Sequence, residues 1–217
     1  MGFPRVCNIC ANEKINAHLF HGNIESGPRP FKVEGTNPQV LLVGQDPTIA
    51  RGQSDCVLCL ENKKSLLYKY IVNEILKPAG LKLENIYATN LVKCRFPDNQ
   101  TPAAIRKNNH IAIKDFLSPF FHNCRQHFLS EVQQIHPKIV LSFGEPVHQL
   151  LIEEFDWVDV PRKMKDAFSN IYKVSLLGDT LYAPCIHVNA RNKLHYKGCW
   201  PKFIQSLKET ATLVGIP

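Results

Sequence analysis

Three side chains of different chemistry stand where an apolar run gives way to a polar loop. Asp46 follows the run Val40-Leu41-Leu42-Val43-Gly44-Gln45, Asn90 sits near the end of residues 86–92 (IYATNLV), and His187 closes residues 181–187 (LYAPCIH). An aspartate can orient or deprotonate a water. An asparagine presents both a donor and an acceptor, which suits reading the edge of a planar base. An imidazole can donate a hydrogen bond to a carbonyl oxygen as negative charge develops there. Each also has a plain structural explanation. Asp46 beside Pro47 is favoured by turn chemistry, Asn90 can satisfy loop backbone groups, and His187 can be an ordinary polar strand end. Their shared position points to chemistry, because the carboxyl ends of parallel strands lie along one rim of an open sheet.

The eight cysteines form a second set: Cys7, Cys10, Cys56, Cys59, Cys94, Cys124, Cys185 and Cys199. The opening residues, MGFPRVCNIC, contain no apolar signal core, so an intracellular protein is expected. Disulfides are then disfavoured and metal ligation favoured. Cys7/Cys10 and Cys56/Cys59 are C-x2-C pairs, and two sulfurs at that spacing can reach one ion or cluster from a single turn. Four thiolates suit an iron–sulfur cluster and suit Zn equally. Cys56 and Cys59 read either as packed small apolar residues or as a second site or redox pair. A zinc module joining Cys7/Cys10 to Cys56/Cys59 is the rival arrangement.

The elements that must position these groups alternate between strand and helix. Strands are expected at 40–44, 86–92, 138–143 and 181–187, with an edge strand at 171–176. Helices are expected at about 65–77, from 101 to about 117, at 124–136, at 145–155 and at about 201–213. Ser65 and Thr101-Pro102 supply the start signals of two helices. This alternation argues a parallel sheet with helices on both faces. Residues 1–38 are irregular and lack the periodicity to fold alone, so anchoring by a metal is expected. A length of 217 residues and a hydrophobic fraction of 44% fit one globular domain, 1–217. No apolar run is long enough to span a bilayer, and a monomer working in the cytoplasm is expected. The formal charge of +7 favours polyanionic partners.

Four stretches resemble the uracil-DNA glycosylase superfamily, above all its iron–sulfur branch, often called family 4. Residues 40–47 look like its first motif, although the GQDP wording is closer to family 1; the iron–sulfur members usually read GEAPG. Residues 87–102 (YATNLVKCRFPDNQTP) resemble the branch's strand and cysteine loop. Residues 124–144 resemble its Cys-led helix and following strand, and residues 186–192 (IHVNARN) stand where the superfamily has a His-Pro-Ser loop. The resemblance implies a three-layer α/β/α sandwich around a four-stranded, mainly parallel sheet, and hydrolysis of the N-glycosidic bond of uracil in DNA. Asp46 would activate water, His187 would stabilise charge on the departing base, and Gln45, Thr48 and Asn90 would bind that base. Asn189, Arg191 and Asn192 would contact DNA, with Arg191 filling the gap left by the flipped base. Cys7, Cys10, Cys94 and Cys124 would ligate a [4Fe–4S] cluster, with Zn as the alternative.

Departures fall at the pocket. The aromatic on which the superfamily stacks uracil is replaced by Val57-Leu58-Cys59-Leu60. Thr48 stands where family 1 has a Tyr, and the Pro and Ser after His187 are missing. These changes leave room for another deaminated base, such as hypoxanthine or xanthine, or for a metal-stabilised DNA-binding protein without catalysis.

Overall fold

Along the central strands, alternate side chains enter two different apolar clusters, and this divides the molecule into layers. Val40 and Leu42 belong to one cluster, while Leu41 and Val43 belong to the other. All four are completely buried. Strands covered on both faces read as continuous apolar runs, as this one does. The computed structural model describes residues 10, 25–47, 55–96, 101–176 and 178–217.

The main sheet has six strands, in the order β2-β4-β3-β6-β8-β7. The four at its centre, β3 (Val40–Gly44), β4 (Ile86–Asn90), β6 (Ile139–Phe143) and β8 (Asp179–Cys185), run parallel. The edges are antiparallel: β2 (Phe31–Lys32) on β4 and β7 (Tyr172–Ser175) on β8. The expectation of four strands is thus corrected to six. β2 is too short to leave a periodic signature in sequence, and it lies inside the stretch expected to be irregular. The same stretch holds β1 (Glu25–Ser26), which pairs with β5 (Cys94–Arg95) in a separate two-stranded ribbon.

One face of the sheet is covered by α1 and α6. Helix α1 begins at Leu66–Tyr68, capped by Ser65, whose Oγ accepts the Tyr68 N–H at 2.9 Å. It continues through Lys69–Leu76 with wider, i→i+5 hydrogen-bonded turns. Tyr70, Ile71 and Ile75 pack here with Phe203 and Leu207 of α6 (Leu194–Leu213). The other face is covered by α3 (Ile113–Ile135) and α4 (Glu145–Phe155), through Phe116, Phe120, Phe128, Val132, Val147 and Leu151. A short α2 (Pro102–Asn109), capped by Thr101, precedes α3, and α5 (Met164–Ala167) lies in the charged connection after α4. The chain is therefore α/β, with three layers.

Two helix boundaries differ from expectation for one reason. Pro119 lies inside α3 and Pro201 inside α6. Each lacks the N–H for an i→i−4 bond, so sequence reasoning starts new helices near them. In α3 the buried Phe116, Leu117, Phe120 and Phe121 straddle Pro119, and this packing keeps the helix continuous. Cys124 accordingly sits in mid-helix rather than at a helix head. The real break falls at His110, in a left-handed conformation (φ 57°), which ends α2. No helix among the described residues is long and apolar enough to cross a membrane.

Candidate active site

The parallel register aligns the strand ends. Gly44 lies opposite Asn90, and Phe143 opposite Cys185. Beyond these ends is a cavity of about 930 Å³, lined by Gly44, Gln45, Asp46, Asn90, Phe143, His187 and Asn189 among others. An acid, a carboxamide and an imidazole from three strands thus share one space. Of the remaining expected site residues, Arg191 and Asn192 do not line this cavity, and Thr48 and Cys7 lie outside the described residues.

Gly44 is required by a close approach. A Cβ there would overlap Asn90 Oδ1 and stand 2.9 Å from Leu58 Cδ2. The Asn90 carboxamide therefore folds across the end of β3, beneath Leu58. Asn90 is only 4% exposed, so burying its polar head carries a cost unless a partner meets it. Beside it, Gln45 Nε2 donates to Asp46 Oδ1 at 2.5 Å. The loop after β4 is tied to the loop after β3, because the Leu91 and Val92 N–H groups donate to the Gly44 and Gln45 carbonyls at 2.9 and 3.0 Å.

His187 lies just beyond β8 and caps the short turn Val188–Ala190. Its Nδ1 accepts the Asn189 backbone N–H at 3.3 Å, so the neutral ring carries its proton on Nε2. Burial pushes its pKa below the usual histidine value. The site thus holds a neutral imidazole whose outer nitrogen is a donor.

The cavity wall includes Leu58 and Cys59, which stand where the family resemblance places a stacking aromatic, together with residues to which the sequence did not point. Leu58 and Cys59 are successive non-glycine residues in left-handed conformation, φ 56° and 53°, a geometry costing on the order of 1 kcal/mol or more each. The turn is held by the Arg29–Asp55, Val57–Arg29 and Cys59–Cys56 backbone hydrogen bonds. Cys56 and Cys59 are both fully buried. Burial pushes the Cys56 thiol up to about 11 and raises Cys59 in the same direction, which fits packed thiols rather than reactive ones. Phe143 and Tyr196 are the aromatic side chains among the lining residues. Arg106, Lys114, Lys163 and Lys193 add positive charge around it, against Asp46 and Glu145. Phe143 could have been read from its place before the strand-ending Gly144; the cationic wall needs the tertiary fold.

Three of the four cysteines expected to ligate a cluster converge behind the Asn90 loop. Cys10, Cys94 and Cys124 are 3%, 5% and 2% exposed. The Cys94 thiol is hydrogen-bonded to both of the others, which raises its pKa, and burial adds to that rise. The Lys93 N–H points at Cys124 Sγ and Asn123 Nδ2 at Cys10 Sγ, each at 3.5 Å. Buried thiols with N–H donors aimed at sulfur fit the donor set of a thiolate-bound cluster or ion. The three are thiols, with Cys94 hydrogen-bonded to the other two, and no described group of three or more ligand-type side chains is spread as around an ion.

Comparison with known proteins bears on this arrangement. A family model described as the uracil DNA glycosylase superfamily matches residues 31–208. Three curated relatives carry the name type-4 uracil-DNA glycosylase. That of Archaeoglobus fulgidus is 26% identical over 88 residues, 40% of this chain and 36% of the relative. That of Thermotoga maritima is 28% identical over 74 residues, 34% and 31% of the two chains. That of Saccharolobus solfataricus is 27% identical over 117 residues, 52% and 46%. The matched stretch spans less than half the length of each of these relatives.

Proposed function

The chain belongs to the uracil DNA glycosylase superfamily, and on that premise we propose that it is a DNA repair hydrolase that cleaves the N-glycosidic bond of uracil, the product of cytosine deamination. The observation that carries this reading is the meeting of Asp46, Asn90 and His187 in one cavity at the strand ends. The names of its relatives support it.

A base inside a duplex is out of reach of such a cavity, so the nucleotide leaves the stack and enters it. The Asn90 carboxamide, buried and aimed across β3, meets the Watson–Crick edge of the base, where one donor and one acceptor are wanted. Gln45 and Thr48 complete the base contacts. Asp46, steadied by the Gln45 amide, orients a water toward the anomeric carbon. As the bond breaks, negative charge grows on the base, and His187 Nε2–H donates to its carbonyl oxygen. A neutral imidazole does this without having to hold a buried positive charge in the resting site. Arg106, Lys114, Lys163, Lys193 and the rim residue Asn189 receive the flanking phosphates. Cys7, Cys10, Cys94 and Cys124 hold a [4Fe–4S] cluster (alternatively Zn), which ties the N-terminal segment to the Asn90 loop and α3. The cluster's part is structural, and the protein works on DNA in the cytoplasm.

A second reading, release of another deaminated base, is favoured by one feature. Leu58 and Cys59 give the cavity an aliphatic wall beside Asn90, and that wall constrains ring size less than a stacked aromatic does.

The test is a panel of oligonucleotides carrying uracil, hypoxanthine or xanthine, single- and double-stranded, followed by alkaline cleavage. Uracil release is expected, lowered by about 10²–10⁴-fold in Asp46→Asn. Release of a purine alone selects the second reading. Release of nothing by anaerobically prepared protein leaves a DNA-binding protein and refutes catalysis.

A further inference from the structure

We propose that Tyr70 and Glu74 of helix α1 are positioning residues for His187, and that Arg191 serves as the anchor through which Glu74 acts rather than as a side chain inserted into DNA. The proposal rests on the glycosylase reading of the cavity and adds to it the device that sets the imidazole.

The segment 186–191 carries His187. Ile186 and Val188 root it in the apolar cluster shared with α1, while Asn189 is exposed and Ala190 only half-buried. Both of its ends are fastened to one helix. At the start, the Tyr70 hydroxyl donates to the Ile186 carbonyl at 2.8 Å and lies 3.6 Å from Cys185 Sγ. At the end, Arg191 Nη1 pairs with Glu74 Oε1. Tyr70 and Glu74 are four residues apart, one turn along the same face of α1. Between the two fastenings, the Ala190 N–H returns to the His187 carbonyl at 2.8 Å and the Asn189 N–H to His187 Nδ1. The imidazole is therefore held at the crest of a loop whose feet stand on α1.

The helix is shaped for this role. Residues 69–76 are wound with i→i+5 hydrogen bonds, a conformation that is rare and recurrent at functional sites. Tyr70 is completely buried, with its ring against Phe143 of the cavity wall and Trp200 of α6. Its hydroxyl thus has a fixed location. The Glu74–Arg191 pair is partly exposed, with side chains 40% and 29% accessible. Such a pair adds little to global stability, so what it contributes is the place of the loop. An arginine committed to Glu74 is not projecting toward a duplex.

The experiment measures single-turnover uracil release at saturating enzyme, affinity for abasic-site DNA, and the ¹⁵N resonances of the His187 ring. The variants are Glu74→Gln, Arg191→Gln, the double Gln variant, the exchanged pair Glu74→Arg with Arg191→Glu, and Tyr70→Phe, which removes only the hydroxyl. Each single variant is expected to lose about tenfold or more in rate, in line with the cost of slight misplacement of a catalytic group, while DNA affinity is retained. The double Gln variant should be no slower than either single, because the two residues act as one unit. The exchanged pair should recover most of the rate, which a general loss of packing would not allow. The His187 resonances should move in Glu74→Gln while those of His148 stay. The proposal is overturned if Glu74→Gln retains full rate, if Arg191→Gln loses DNA affinity alone, or if the exchanged pair fails to recover. Should the wild type release no base, the glycosylase reading fails separately. The His187 resonances in Glu74→Gln then decide the anchor, movement upholding it and no change overturning it.

Discussion

Glu131 holds a buried ion pair outside the cavity. Its side chain is 7% exposed, on the buried side of α3, and its Oε2 accepts from Lys93 Nζ at 2.5 Å and from Thr89 Oγ1 at 2.8 Å. Lys93 is 12% exposed, lies 5.9 Å from the Phe128 ring centroid, and has its pKa lowered by burial and partly restored by Glu131. In Glu131→Ala the ammonium stays in this apolar setting without its carboxylate. Breaking one partner out of a buried pair costs about 3–5 kcal/mol. A domain's whole stability is on the order of 5–15 kcal/mol, so about a fifth of it or more is at stake. With a urea slope of roughly 2–3 kcal/mol/M for a chain of this size, the midpoint should fall by about 1–2 M. Unfolding is followed through Trp157 and Trp200, which lie against opposite faces of the sheet, and coincident transitions test two-state behaviour. Replacing both charges, Lys93→Met with Glu131→Leu, should bring the midpoint back near wild type, because buried pairs seldom outdo apolar isosteres. A loss below about 1 kcal/mol in Glu131→Ala, or a double variant as weak as the single, would refute the reasoning.

Two histidines give further expectations. His187 has a folded pKa below its unfolded value of about 6.5, so its neutral, Nε2-protonated form is the resting state at pH 7 and its titration midpoint lies below 6.5. Ring ¹⁵N shifts check both, and an Nδ1–H tautomer would contradict the geometry. His187→Gln should lower base release by about 10²–10³-fold. His148 is completely buried. Its Nε2 donates to the Pro161 carbonyl at 2.8 Å, so its Nδ1 accepts from the Tyr182 hydroxyl at 2.7 Å, which in turn accepts from Ser142. Burial lowers its pKa, against opposing contributions from Pro161 and Glu145. The fold therefore favours the neutral ring, and this contribution is complete above about pH 6.5 and lost as pH falls through the lowered folded pKa. Urea midpoints between pH 7 and 5 should decline less in His148→Phe than in wild type; equal declines would exclude His148 as a source.

What the sequence disclosed, and what it did not, separates by range of interaction. The strand ends at Gly44 and Phe143 and the helix Glu145–Phe155 follow from local signals: apolar runs, glycine and a proline in the first helical turn. Asp46, Asn90 and His187 were legible as one site because parallel topology alone brings strand ends together. The edge strand expected at 171–176 is β7, whereas edge strand β2, of two residues, is too short to leave a periodicity to read. Pro119 and Pro201 misled, because their local cost is outweighed by packing that sequence does not display. The left-handed pair Leu58 and Cys59 escaped for the opposite reason: neither residue type signals φ > 0, and only the surrounding hydrogen bonds impose it. The Glu74–Arg191 pair joins residues 117 apart, with no motif to connect them.

These long-range ties explain how the cavity is divided. Asp46 leaves β3, which is paired on both sides within the sheet, as are β4 and β8. The Asn90 wall continues into the loop that Lys93–Glu131 and the thiols of Cys94 and Cys124 fasten to α3, on one face. The His187 wall is fastened through Tyr70 and Glu74 to α1, on the other face. Among the described residues, the two fastenings belong to different apolar clusters, on opposite faces of the sheet. On the proposed glycosylase reading, base recognition and stabilisation of the departing base would therefore be set by separate layers of the sandwich. The aliphatic Leu58 wall lies on the α1 side with the cluster that contains Phe143. On the same reading, substitutions at Leu58 and Cys59 would change the accepted base without moving Asp46, because β3 is held by strand pairing on both sides.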